Sequence, residues 1–200
     1  MITLGISGGM GSGKSYVCRI LFALHDIPIF YSDIEVKKLF NDTSPNVESM
    51  REKLIELCGA KAYGEDKMWN IKHISELVET DKSLLDKITY IVEPYLIDRV
   101  NEFKRINGSQ QFCAIESALF PKSQNFIDTV DSMVLVTAPL VTRIKRIKQR
   151  DPNRTDNEII TLLYNQLGKP MNIDYTLTND IDEEVDLDIQ IENMLKTFTG

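Results

Sequence analysis

Two hundred residues, 42% of them hydrophobic and 26% charged, suffice for one compact domain with its own core. That composition excludes collagen, low-complexity chains and wholesale disorder. A formal net charge of −7 argues against a broad nucleic-acid-binding face, but it leaves room for a local basic pocket around a small phosphorylated ligand.

Ile2 to Ser7 is a short β-prone run, followed at once by Gly8-Gly-Met-Gly-Ser-Gly13. Lys14 to Leu24 then carries Val17, Ile20, Leu21 and Leu24 at helical spacing, so the segment reads as strand, glycine-rich turn and amphipathic helix. Ile27 to Tyr31 reads as a second strand with Asp33 just past its end, which makes a βαβ unit. From Ile34 to about Asn107 the pattern is helical, and Pro94 is expected to kink or split the long run from Leu84 to Ile106. The β/α alternation resumes with strands at Phe112 to Glu116 and Ser132 to Val136. Helices are expected from Pro139 to about Arg150 and from Asp156 to Leu167, then a strand at Tyr175 to Thr178 and a closing helix from Val185 to Phe198. Five strands alternating with helices predict an open α/β sheet.

Three widely spaced cysteines (Cys18, Cys58, Cys113) with no CxxC point to free buried thiols in a reducing compartment. Two histidines are too few for a His-rich metal site. No apolar run reaches the length of a membrane span and no signal peptide is read, so a cytoplasmic protein is expected.

Gly8-x-x-x-x-Gly13-Lys14-Ser15 fits the phosphate-binding loop pattern in its required place between strand and helix. The backbone of such a loop turns successive N–H groups around a phosphate, and the helix N-terminus adds partial positive charge. Gly9, Met10, Gly11, Ser12, Gly13, Lys14, Ser15 and Tyr16 are the expected nucleotide-binding residues, with Lys14 bridging the β- and γ-phosphates and the Ser15 hydroxyl on Mg²⁺. The guanine-specificity motif NKxD and an apolar strand ending in Asp-Glu are both absent, which turns the reading from GTPases and motor ATPases toward a small-molecule kinase.

Asp33, after the second strand, is either the carboxylate that takes the proton of an attacking hydroxyl or an N-cap for the helix starting at Ile34. Arg143, Lys145, Arg146, Lys148, Arg150 and Arg154 form the densest basic cluster, and Arg143, Arg146 and Arg150 share one helical face. Arg146 and Arg150, next to the loop Asp151 to Thr155, suit a mobile lid that closes cations over a transferring phosphoryl group. Lys145 and Lys148 read as a solvated face. Glu116, ending the third strand, either acts through Mg²⁺ or its waters or joins an ion pair.

With these residues in hand, the sequence resembles the dephospho-coenzyme A kinases over essentially its whole length. Gly5-Ile-Ser-Gly-Gly-Met-Gly-Ser-Gly-Lys-Ser15 is close to that family's loop, and Tyr31-Ser-Asp33 lies where the family has Asp-Ala-Asp. Thr137-Ala-Pro leading to Arg146 and Arg150-Asp151 is similar to the segment entering the family's lid, with Arg143 where Gln is common. Gln166 fits the glutamine near the end of the next helix, and Asp174-Tyr-x-x-Thr-Asn179 resembles the stretch near the adenine. Glu93-Pro94 stands in place of His-Pro, and Ser117-Ala-Leu-Phe-Pro121 in place of Pro-Leu-Leu-Phe-Glu.

The resemblance implies a P-loop kinase fold with a five-stranded parallel sheet flanked by helices, a helical substrate insertion and a lid. Residues 1–33 and 108–200 would form the nucleotide-binding core, with the lid at about 143–168, and 34–107 the substrate-binding insertion, in which roughly 60–106 would hold the pantetheine arm. It also implies transfer of the ATP γ-phosphate to the ribose 3′-hydroxyl of dephospho-CoA, with Mg²⁺. Asp33 would be the base or orienting carboxylate, Lys14, Ser15, Arg146 and Arg150 would neutralise phosphates, and Asn179 would lie by the adenine. No nucleic-acid or membrane partner is expected, and the chain is expected to be a monomer or weak homo-oligomer. The competing readings are another small-molecule or nucleoside monophosphate kinase and a nucleotide-dependent regulatory protein. Residues 174–200 hold eight acids and one base, so the rest of the chain is neutral and the acidic balance belongs to the tail.

Overall fold

The computed structural model describes residues 1–165, 171–180 and 187–199. The chain divides into two compact units, Met1–Tyr31 with Phe103–Gly200, and Ser32–Glu102.

The first unit is built on five parallel strands: β1 (Ile2–Ser7), β2 (Ile29–Tyr31), β3 (Phe112–Glu116), β4 (Ser132–Thr137) and β5 (Tyr175–Thr178). Their order across the sheet is β2-β3-β1-β4-β5. Alternate residues of each strand face one side. Leu4, Ile6, Phe112, Ala114, Val134, Val136 and Leu177 accordingly join Val17, Leu21, Ile191 and Met194 in one buried cluster. The last four come from α1 (Lys14–His25) and α9 (Leu187–Thr199). On the opposite face Gly5 leaves no room for a side chain, since a Cβ there would sit 2.6 Å from Met133 Sδ and 3.1 Å from Phe120.

In the second unit the chain forms α2 (Ser32–Asn41), α3 (Glu48–Cys58), α4 (Ile71–Thr80) and most of α5 (Leu84–Ile106). Arg51 staples its loops. Its guanidinium donates to the carbonyls of Phe40 (3.2 Å), Asp42 (3.0 Å) and Lys67 (2.8 Å), and lies 3.8 Å from the centroid of the Tyr63 ring. Trp69 stacks on Phe40 with ring centroids 4.4 Å apart, and its backbone N–H donates to Asn41 Oδ1.

Two details depart from the sequence-based expectation. The helix α5 is not split at Pro94 but continues through it to Ile106. Pro94 and Tyr90 are both exposed, so water can take the Tyr90 carbonyl that the missing N–H leaves free. The helix α2 starts at Ser32, not Ile34, which puts Asp33 inside its first turn and not at the N-cap.

Three further helices complete the first unit: α6 (Gln124–Ile127), α7 (Leu140–Arg150) and α8 (Asp156–Asn165). Thr155 and Glu158 form a reciprocal capping box at the start of α8. Glu158 Oε2 accepts from the Thr155 N–H at 2.7 Å, and Thr155 Oγ1 accepts from the Glu158 N–H at 3.3 Å. Ile147 of α7 packs with Ile159 and Leu163 of α8 in a small core of their own, and Lys148 pairs with Asp156 at 2.6 Å.

Candidate active site

Every carbonyl of the glycine-rich loop between β1 and α1 accepts a hydrogen bond, those of Met10, Gly11 and Ser12 from α7 and Asn179. Lys14 Nζ donates to Gly8 O (2.8 Å), and the Ser12 N–H donates to Gly9 O (3.1 Å). Arg143 Nε donates to Met10 O (2.9 Å). Arg146 Nη1 donates to Gly11 O (3.1 Å) and Ser12 O (3.2 Å), and Asn179 Nδ2 adds a second bond to Ser12 O (3.0 Å). Gly13 O accepts the first helical bonds of α1, from Tyr16 and Val17.

Two of the glycines are required by backbone angles: Gly11 has φ 77° and Gly13 φ 94°, both in the left-handed region. Close packing adds to this. A Cβ on Gly9 would run into the Arg143 guanidinium, and one on Gly13 into Asn179 Nδ2. The loop is therefore small both where it faces a ligand and where α7 and the end of β5 press on it from behind.

With its acceptors engaged, the loop keeps donors for a polyanion. The Ser12 hydroxyl is buried and has no hydrogen-bond partner among the described residues. The start of α1 contributes N–H groups that have no intrahelical acceptor. A cradle of this kind fits nucleotide phosphates. Ser15 and Tyr16 are exposed on the first turn of α1. The oxygen donors expected for a Mg²⁺ ion, the Ser15 hydroxyl and the Glu116 carboxylate, are of the type that suits a hard cation completed by phosphate and water. Among the described residues no cluster of three or more His, Cys, Asp or Glu could hold a metal.

The sheet order settles which acid ends the strand next to the loop. Since β3 lies between β1 and β2, Glu116 pairs in register with Ile6 on one side and Tyr31 on the other. Burial first, and the Glu116 carboxylate second, push the Cys18 thiol far above its ordinary value, while Lys14 pulls the other way. Burial, then Cys18 and Glu116, also raise Tyr31. Asp33 follows the edge strand β2 and belongs to the second unit, where it is exposed in the first turn of α2.

Of the arginines expected to face phosphate, Arg146 is the most engaged. Besides the two loop carbonyls, its Nη2 donates to Asn179 O and Asn179 Oδ1, both at 3.1 Å. Asn179 is buried and is held in turn by its own N–H on Thr137 O at 2.8 Å. Arg150 is exposed on the last turn of α7. Asp174 Oδ2 accepts from the Met133 N–H at 2.7 Å, tying β5 to β4. Gln166 and the last residues expected in the lid, 166–168, lie outside the described residues, as do 185 and 186 at the start of the closing helix.

Two residues have parts in the site that the sequence reading did not assign. Arg143 was visible as a third arginine on the face of Arg146 and as a departure from the family's Gln, signals for proximity but not for a loop carbonyl as partner. Met10 was expected only among the nucleotide-binding residues of the loop, yet its side chain packs against the Ile147, Ile159 and Leu163 cluster, joining the loop to α7 and α8.

Comparison with known proteins gives the family and the fold. The family model described as dephospho-CoA kinase matches residues 2–182. Among curated relatives, a dephospho-CoA kinase of Porphyromonas gingivalis is 36% identical over 76% of this chain and 71% of its own length. One of Salinibacter ruber is 29% identical over 90% of this chain and 89% of its own. Among solved structures, a Thermus thermophilus protein covers 100% of this chain and 98% of its own, with TM-score 0.74 and 21% identity. A shikimate kinase from Aquifex aeolicus covers 100% and 97%, with TM-score 0.52 and 16% identity, a likeness of fold. The loop, the five-stranded parallel sheet and the family match together place this chain in the dephospho-CoA kinase family.

Proposed function

We propose that this protein transfers the γ-phosphoryl group of ATP to the ribose 3′-hydroxyl of dephospho-CoA, giving coenzyme A and ADP, in the cytoplasm and as a monomer or weak homo-oligomer. The observation that carries the reading is the phosphate loop with its carbonyls engaged by hydrogen bonds, in a chain of this family.

Phosphoryl transfer needs positioning and charge stabilisation more than covalent help from the protein. Gly9 to Gly13 would wrap the β-phosphate with backbone N–H groups, and Tyr16 would border the nucleotide. Lys14, now on Gly8 O, has the reach of a flexible side chain to move its ammonium onto the phosphates. Ser15, with Glu116 through water, would hold Mg²⁺, which when bound neutralises charge on the β- and γ-phosphates. Asp33 would accept the proton of the 3′-hydroxyl or orient it in line with the γ-phosphorus. Arg150, exposed on α7, would close over the transferring group with the lid at about 143–168, while Arg146 supports the loop and the Asn179 wall of the adenine site. Residues 34–107 would receive the acceptor, with the pantetheine arm along 60–106.

Free buried thiols at Cys18, Cys58 and Cys113 suit a reducing compartment. Among the described residues no helix is long and apolar enough to cross a membrane.

An acceptor panel tests the reading. Rapid ADP release with dephospho-CoA and little with AMP, CMP, dTMP or shikimate supports it, whereas preference for any of the others assigns a different kinase activity. Chelation of divalent metal should abolish turnover with every acceptor.

A further inference from the structure

The hydrogen bond on the Met10 carbonyl has a stereochemical corollary. A trans peptide points its C=O and its N–H in opposite directions. Whatever holds the Met10 carbonyl on the outside of the loop therefore turns the N–H of Gly11 toward the inside, where a phosphate oxygen is to bind. The group that holds it is Arg143 Nε, at 2.9 Å.

Arg143 is well placed to do this. Its guanidinium lies on Gly9, in the space a Cβ would take, and its own backbone lies against Gly11, where a Cβ would be 2.7 Å from Arg143 O. It is half-buried, and among the described residues it forms no ion pair. The side chain of Met10 is anchored in the same direction, in the apolar cluster of α7 and α8. The crest of the loop is thus gripped twice, through its carbonyl from α7 and through its side chain from α7 and α8.

We propose that Arg143 is a positioning residue for nucleotide binding, which sets the Gly11 N–H toward the phosphate by bonding the Met10 carbonyl from behind the loop. It acts through the peptide and does not touch the phosphate. The proposal rests on the reading of this loop as a nucleotide-phosphate site, and deepens it.

Side-chain chemistry separates orientation from charge. The amide nitrogen of Gln is attached to Cδ, as Arg Nε is, so Arg143→Gln keeps an N–H donor at the same number of bonds from the backbone and removes the charge. Arg143→Lys keeps the charge and moves the donor one atom outward. Arg143→Met keeps the length and removes both.

The experiment measures binding of inorganic tripolyphosphate to each full-length variant by calorimetry, without acceptor and without turnover, alongside hydrogen exchange of the 9–13 amides. Loss of one oriented donor should weaken binding roughly tenfold. The expected result is wild-type binding within about threefold for Arg143→Gln, roughly tenfold loss for Arg143→Met with faster exchange at Gly11, and a loss for Arg143→Lys larger than that for Gln. Thermal unfolding of each variant identifies one that fails to fold, in which case exchange at Gly11 in the folded Gln and Lys variants decides. Binding by Arg143→Lys equal to wild type with Arg143→Gln as weak as Arg143→Met overturns the proposal in favour of a charge effect. Equal binding by all four proteins overturns it outright. If wild type itself does not bind tripolyphosphate, the reading of the loop fails and the proposal falls with it.

Discussion

Arg146 and Asn179 meet through two hydrogen bonds from one guanidinium nitrogen, to the side-chain and the backbone oxygen of the asparagine, both 3.1 Å. Both residues also bond the carbonyl of Ser12. Helix α7, the end of β5 and the phosphate loop are thereby joined at one buried polar node.

Asn179→Ala should break that node. It removes the donor to Ser12 O and leaves Arg146 Nη2 with one acceptor fewer, at a cost of about 2 kcal/mol for a buried group whose partners lose their bonds. Urea unfolding should show the loss, and ATP affinity should fall with it because the loop is no longer braced. Unchanged stability would mean that water replaces the amide without penalty.

Arg51→Ala should loosen the second unit. Three backbone carbonyls lose their donor and Tyr63 loses the cation on its face, together about 2–3 kcal/mol. Hydrogen exchange should rise first at residues 40–44 and 62–70. An effect spread evenly over the chain would contradict the local role.

Asp33→Asn should lower turnover at saturating dephospho-CoA by about 10²-fold or more while leaving ADP binding unchanged. Its exposed position in the first turn of α2 argues against a folding defect as the cause of such a drop. Turnover within threefold of wild type would remove Asp33 from the proton transfer.

Stability should decline as pH rises through the alkaline range. Burial raises Cys18 and Tyr31, and holds Tyr63 up at about 12, with Arg51 opposing. Each group stays protonated in the folded chain after its unfolded counterpart has ionised, so above the ordinary thiol value near 8.5 the native state binds more protons. The stabilisation is complete below that value and is lost as pH climbs toward the folded values. Unfolding free energies from pH 7 to 10.5 should fall, and Cys18→Ala should flatten the first part of the curve. A flat wild-type curve would refute the assignment.

The strands, most helices and the phosphate loop were legible because their signals are local. The Gly8-to-Ser15 spacing, the period of Val17, Ile20 and Leu21, and the apolar runs at 112–116 and 132–136 act within a few residues of themselves. The Thr155-x-x-Glu158 box was equally local and available to be read. The task of Arg143 was not, because its partner lies 133 residues away and the helix face that carries it looks the same whether it meets solvent, phosphate or a carbonyl.

By itself the sequence determined that a parallel α/β sheet would carry a phosphate loop, since hydrophobic period and glycine spacing suffice for that. Only the tertiary structure decided that β3 separates β1 from β2, so that Glu116 ends the strand beside the loop. It also decided that Arg146 and Asn179 brace the loop's carbonyls. Both outcomes depend on which long-range surfaces pack together, and a buried carbonyl takes whichever donor that packing brings within reach.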